Sequence, residues 1–236
     1  MSTVQTLDLK PFPVDPQVMA AIRPMDLRDI SRVVALHQAA MGSSLWARLG
    51  TPFLMTLYRG MLAHPDFIGF VYEEDSRVRG FIAGSTDTRR LFRWVLFRAG
   101  PQLIAPTLQG LAHNLPLLRE LVQTPLYFSR SSAPAETIPA ESLFCSFEPD
   151  LRGKRISGHI NKVLFDELRA RGQQQVKITT ETDNEGANRQ LRSWGFEDRG
   201  TFRFYGKEMR VFVLDLLTSP RVEAVRRHRI DPRLAG

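Results

Sequence analysis

Apolar residues at 27, 30, 33, 34 and 37 (Leu27, Ile30, Val33, Val34, His37) recur at three- and four-residue spacing, which predicts a helix with one buried face. Before it, 20–24 reads as a short first strand and Met25-Asp26 as the turn out of it. Residues 1–19 are Pro-rich and aperiodic and are expected to form an extended arm. The Gly42-Ser43-Ser44 break ends the first helix, and Ser43 or Ser44 can cap a second helical region. That region keeps the period at Leu49, Phe53, Leu54, Leu57, Met61 and Leu62, interrupted by Gly50 and Pro52. Two strands, 68–73 and 78–85, flank a charged turn and predict a hairpin.

The pattern resumes at Glu141 with a strand (142–147), a loop, a helix (156–170), a strand (176–180) and a helix at about 185–193. A hairpin of 202–205 and 209–216 closes the domain around Gly206-Lys207. Between the two halves, 88–140 is read as an insertion with two helical stretches punctuated by Pro101, Pro106, Pro116 and Pro125. The element order is mixed, neither alternating nor segregated. It predicts an α/β protein of the α+β type: a central mixed, mostly antiparallel sheet flanked by helices. One domain is expected over 20–217, followed by a basic tail over 218–236.

Composition adds little to the fold and something to the chemistry. A chain of 236 residues with 43% hydrophobic and 24% charged residues is ordinary for a globular domain. The net charge of +7 suits phosphate-bearing partners, and no aromatic-basic RNA-binding signature accompanies it, so nucleic acid is not expected. The single Cys145 excludes an intramolecular disulfide. His113, His159, His228 and Arg229 show no metal-ligand spacing with acidic partners, so no metal is expected. With no secretory leader and no apolar run near 18 residues, a cytoplasmic protein is expected.

The segment that carries chemistry lies between Glu141 and Phe196. An apolar strand runs into a Gly/Arg/Lys loop, Arg152-Gly153-Lys154-Arg155-Ile156-Ser157-Gly158, which opens directly into an amphipathic helix. Ile156, Ile160, Val163, Leu164 and Leu168 form the inner face of that helix. Free amides and the helix dipole would then converge on one point, a place for phosphate oxygens. Gly153, Ser157 and Gly158 are small enough to let a ligand approach the backbone. An ordinary loop and cap is the plain alternative.

Four features in order resemble the GNAT superfamily of acetyl-CoA-dependent N-acetyltransferases: AIRPMDLRDI at the start, Phe147-Glu148-Pro149 in place of V-x-P, Arg152–Ser157 in place of Q/R-x-x-G-x-G/A, and Asn184–Phe196 following N-x-x-A…G-F. The resemblance covers about 20–90 and 141–216. It implies acetyl-CoA as acyl donor, its pyrophosphate held at 152–158, with Asn184 on the pantetheine arm. It also implies oxyanion-stabilising amides around Ser146 and Phe147, and a primary amine of a small molecule, such as an amino sugar, as acceptor. By comparison with histone-type members, Glu141 is the candidate base, with Glu181 as the weaker alternative.

The sequence also departs from the pattern. Arg155 and Ser157 replace family glycines, and Leu191 stands where a Tyr often protonates the leaving thiolate. Tyr205 is the remaining candidate acid. A ping-pong route through Cys145 is a further alternative, as is a non-catalytic acyl-CoA-binding domain that keeps the fold. The stretch 89–98 interleaves Arg89, Arg90, Arg93 and Arg98 with apolar residues. Its readings are packing on the domain, a substrate lid, a homodimer contact or contact with an anionic membrane.

Overall fold

The computed structural model describes residues 9–113, 137–204 and 206–222. The arm is not extended throughout. Asp15 accepts the Gln17 amide at 2.9 Å and Pro16 starts a short helix, α1 (Pro16–Ala20), because proline suits the first helical position. Strand β1 (Ile22–Pro24) follows. A 3-10 turn (Leu27–Asp29) capped by Asp26 then leads into α2 (Ile30–Met41). Ser44 caps α3 (Leu45–Arg48) by accepting the Ala47 amide at 3.3 Å. Gly50, at φ 95°, turns the chain into α4 (Thr51–Leu62).

The predicted hairpin is β2 (Phe67–Glu74) and β3 (Arg77–Ser85). Its two-residue turn places Asp75 and Ser76 at φ 51° and 58°, the double left-handed turn that matches strand twist. Helix α5 (Thr88–His113) runs straight through Pro101 and Pro106, which were expected to interrupt it. Leu91, Phe92, Val95, Ala99 and Leu103 are buried in the cluster that α2 and α4 also form. This packing outweighs the lost helical hydrogen bonds. The second helical stretch read in the insertion falls within 114–136, outside the described residues.

Strand β4 (Glu141–Phe147), α6 (Ile156–Ala170), β5 (Gln175–Glu181), α7 (Glu185–Ser193), β6 (Glu197–Phe204) and β7 (Lys207–Asp215) complete the domain. The seven strands lie in the order β1-β2-β3-β4-β5-β7-β6. Only β4 and β5 are parallel. One face carries the α2, α4 and α5 core around Phe81 and Tyr58. The other carries α6 and α7 around Ile160, Leu164, Trp194 and Phe212. The expected mixed, mostly antiparallel sheet with helices on both faces is what forms.

Candidate active site

Two parallel strands that part company make the cleft. Strands β4 and β5 are paired at only two positions, Glu141 with Lys177 and Ser142 with Ile178. Beyond Ser142 each strand keeps its outer neighbour: β4 stays on β3 as far as Phe147, and β5 stays on β7 as far as Glu181. The parting begins at a bulge. Ala83 and Gly84 face Phe144 and Ser142, so Leu143 is an extra residue that bends β4.

Alternation decides which amides line the opening. The Glu148 amide donates to the Arg79 carbonyl at 2.9 Å, so Ser146 and Phe144, each two residues further back, also turn their backbone groups toward β3. The amides of Cys145 and Phe147 therefore face the opening. Ser146 is used differently from what was expected: its hydroxyl donates to the Leu36 carbonyl of α2 at 2.9 Å, and its amide points away from the gap. Cys145 is exposed beside the parting strands, and loss of water around its sulfur pushes the thiol up to about 12. That shift favours the thiol over the thiolate, the form that attacks.

Glu141 sits where the strands begin to part, 8% exposed. Burial raises its carboxyl above the ordinary range, while Lys177, with Nζ 4.0 Å from Oε2, and Thr88 pull it back down. A carboxyl raised in this way releases its proton later and accepts one more readily, which is what a base for an amine requires. Glu181, at the far end of β5, is tied to Lys207, which also reaches Ser43 at 3.3 Å.

The loop after β4 leaves backbone amides unpaired at a helix head, an arrangement that can receive an anion. Among the described residues the amides of Gly153, Arg155, Ile156 and Ser157 have no hydrogen-bond partner, and they sit at the head of the fifteen-residue α6. Gly153 (φ 81°) and Arg155 (φ 59°) both take left-handed backbone, which turns successive amides to one side. Arg152, Lys154 and Arg155 are exposed around it. The segment leading in is anchored by charge: Glu148 bonds Arg32, Arg77 and Arg79, the last at 2.7 Å, and Arg79 also holds Asp150 and Glu74. The Arg79 hydrogen bond, with Arg77 and Arg32 adding attraction, holds the Glu148 carboxyl below its ordinary range.

No family model matches the sequence, and no curated protein does. Solved structures do match. The ribosomal-protein-alanine N-acetyltransferase from Brucella melitensis superposes with a TM-score of 0.54 at 16% identity, over 83% of this chain and 99% of its own. An N-acetyltransferase from Staphylococcus aureus Mu50 gives 0.53 at 16% identity, over 83% and 97%. Ard1 from Thermoplasma volcanium gives 0.52 at 15% identity, over 82% and 95%. The fold is that of the GNAT N-acetyltransferases. At these identities the likeness is one of fold, and the residues must be judged on their own geometry.

The resemblance noted in the sequence implies acetyl-CoA as the group to test against this site, and the chemistry of the loop suits its phosphates. Four unbonded amides and three exposed cations suit a pyrophosphate, and the opening between β4 and β5 suits an amide-bearing arm. Arg155 takes a left-handed turn, which a non-glycine residue holds at a cost of about 1–2 kcal/mol. Gly158 does not serve as expected. The space beside its Cα is filled by the Phe12 ring, which lies 2.6 Å from where a Cβ would stand.

Asn184 caps α7 through Oδ1, accepting the Ala187 amide at 3.1 Å, which leaves its NH2 for a ligand. Leu191 is buried with Trp194 and Phe196 and offers no proton. Tyr205 lies outside the described residues. His37, on the inner face of α2, is fully buried. Its Nδ1 meets the Tyr58 hydroxyl at 2.9 Å, and burial lowers its pKa to about 4.

One residue was missed. Asn188 is buried on the inner side of α7 and donates Nδ2 to the carbonyls of Glu181, Thr182 and Asn184 at 3.2, 3.2 and 2.8 Å. Its Oδ1 has no partner among the described residues, a buried acceptor next to the end of β5. An Asn on the apolar side of a short, strongly amphipathic helix was the available signal.

Proposed function

We propose that this protein is an N-acetyltransferase that moves acetyl from acetyl-CoA to a primary amine of a small molecule, an amino sugar among the candidates, by direct attack in a ternary complex. The observation that carries the reading is the pair of parted strands with a four-amide cradle at the adjoining helix head. When bound, acetyl-CoA supplies an activated acyl group as a thioester.

The residues of the chain have separable roles. Gly153, Arg155, Ile156 and Ser157 bind phosphate oxygens through their amides, with Arg152 and Lys154 adding positive charge. The Phe147 and Cys145 amides face the opening and can donate to the acyl oxygen as negative charge develops there. Glu141 takes the proton that the attacking amine must lose, directly or through one water. Direct attack needs no covalent step at Cys145, whose thiol is pushed up by loss of water around it. With Leu191 at the usual acid position, the leaving thiolate departs without a proton donor from α7. A thiol of ordinary pKa near 8.5 tolerates this.

Leu191 also favours a second reading, a non-catalytic acyl-CoA-binding domain. Thiol release from acetyl-CoA across a panel of small amines separates the two. Turnover on any amine, lost in Glu141→Gln with coenzyme A binding intact, supports the enzyme. Tight coenzyme A binding with no turnover on any amine supports the binding domain.

A further inference from the structure

The stretch from Leu9 to Asp15 is packed onto the helix that holds the cradle. Phe12 stacks on Trp194, with centroids 4.9 Å apart and planes at 19°, and meets His159 edge-on at 5.0 Å and 82°. Trp194 in turn leans on Phe165 of α6 at 5.3 Å. Leu9 occupies the space beside Gly195 as Phe12 does beside Gly158. Two glycines are thus used to seat one arm across the outer side of α6 and the end of α7.

His159 joins this arm to the cradle. It is buried, and both ring nitrogens are engaged. The Arg155 carbonyl lies 2.8 Å from Nδ1, so Nδ1 carries the proton and donates. The Asp15 amide donates to Nε2 at 2.9 Å. A single imidazole therefore runs from the backbone of the arm to the carbonyl of the left-handed residue at the loop's centre. That same carbonyl also accepts the Gly158 and His159 amides at 3.0 and 3.3 Å. A sparsely populated backbone conformation persists only where its surroundings hold it, and here the surroundings include the arm.

We propose that His159 is a positioning residue for the acyl donor, and that Phe12 and His159 together form a strap by which the N-terminal arm keeps the Gly153–Ser157 amides in their anion-binding geometry. The proposal rests on the coenzyme A reading of the loop. It adds that docking of the arm and binding of the cofactor are coupled, each strengthening the other by the same factor.

The test is titration of coenzyme A into the full-length protein and its variants. Absence of binding to the wild type would sink the coenzyme A reading itself. Given wild-type binding, Phe12→Ala and His159→Phe each raise the Kd about fivefold to tenfold, the scale of one or two lost hydrogen bonds or a lost stacking contact. The Phe substitution keeps a ring against Phe12 and removes only the two nitrogen bonds. The double variant is no weaker than the worse single one, because both act through one strap. On any amine that is turned over, the KM for acetyl-CoA rises in both variants and kcat stays. Hydrogen exchange of the Asp15 amide slows when coenzyme A saturates the wild type.

Gly158→Ala supplies an independent check. Its methyl drives Phe12 off while raising helix propensity, so α6 stays formed. It weakens binding in the wild type and has no further effect in the Phe12→Ala background. A further loss in that background would mean the methyl meets the ligand and not the ring, and the strap would be wrong. Unchanged or tighter binding in Phe12→Ala and His159→Phe, or Asp15 exchange indifferent to coenzyme A, would overturn it as well.

Discussion

Glu141 and Glu148 stand seven residues apart at the two ends of β4 and live in opposite electrostatic worlds. Glu141 is buried with one lysine 4.0 Å away, and loss of water dominates, so its carboxyl titrates high. Glu148 is ringed by Arg32, Arg77 and Arg79, and attraction dominates, so its carboxyl titrates low. One carboxylate is prepared to exchange a proton and the other to keep its charge. The first sits where the strands part, where the chemistry would occur. The second pins the segment that leads into the 152–157 loop. The number of charged partners, and not depth alone, sets the direction in which each carboxyl titrates.

The largest effect that would break this contrast is on catalysis. Glu141→Gln should lower kcat by about 10²–10⁴-fold, the usual share of a general base, while coenzyme A binds within about twofold of wild type. Thiol-release kinetics and calorimetry measure the two quantities. Unchanged turnover would remove Glu141 as the base. Glu148→Gln should show the reverse pattern: coenzyme A affinity falls about fivefold to tenfold as three arginines lose their charged partner, and kcat at saturating cofactor stays close to wild type.

Stability against pH sharpens the same contrast, because the two signs differ. The folded protein holds the Glu141 proton more tightly than the unfolded chain does. Stability is therefore lost as pH rises from the unfolded carboxyl value of about 4.3 through the raised folded value. Glu141→Gln should raise Tm near neutral pH, with the gain vanishing below about pH 4. Glu148 releases its proton more readily when folded, so its contribution is present above the unfolded value and disappears as pH falls through the lowered folded one. Glu148→Gln should lower Tm near neutral pH and leave it unchanged in acid. Thermal melts at several pH values decide both, and two curves of the same sign would contradict the contrast.

The smallest effect concerns the cradle. Arg155→Gly relieves a left-handed side-chain residue but adds freedom to the unfolded chain, so the net gain is about 0.5 kcal/mol or less, read as a small rise in denaturant midpoint.

Helix α6 was legible to the residue, since Ile156, Ile160, Leu164 and Leu168 repeat with a helical period and the loop before them is rich in glycine and charge. The β2–β3 hairpin was legible for a similar reason: two apolar runs bracket a polar turn. The position of the loop at 152–155, ahead of the helix that starts at Ile156, followed from the same local grammar. Gly158 did not, because its role is decided by Phe12, more than a hundred residues earlier in the chain. Ser146 was misjudged because the side to which an amide points depends on how β4 pairs with β3, and a strand pattern shows which side chains alternate but not which neighbour each amide meets. Pro101 and Pro106 read as breaks, and packing of α5 on α4 overrode them.

What the sequence determined alone was the order of elements, the amphipathic faces and the loop at 152–157, all of which depend on contacts within a few residues. What only the tertiary structure decided was the use of these parts: the bulge at Leu143 and the parting of β4 from β5, the single lysine beside Glu141 against three arginines around Glu148, and the arm laid over Gly158. Each of these brings together residues distant in sequence. Their energies come from burial and charge in three dimensions, which no local pattern of hydrophobic and polar positions encodes.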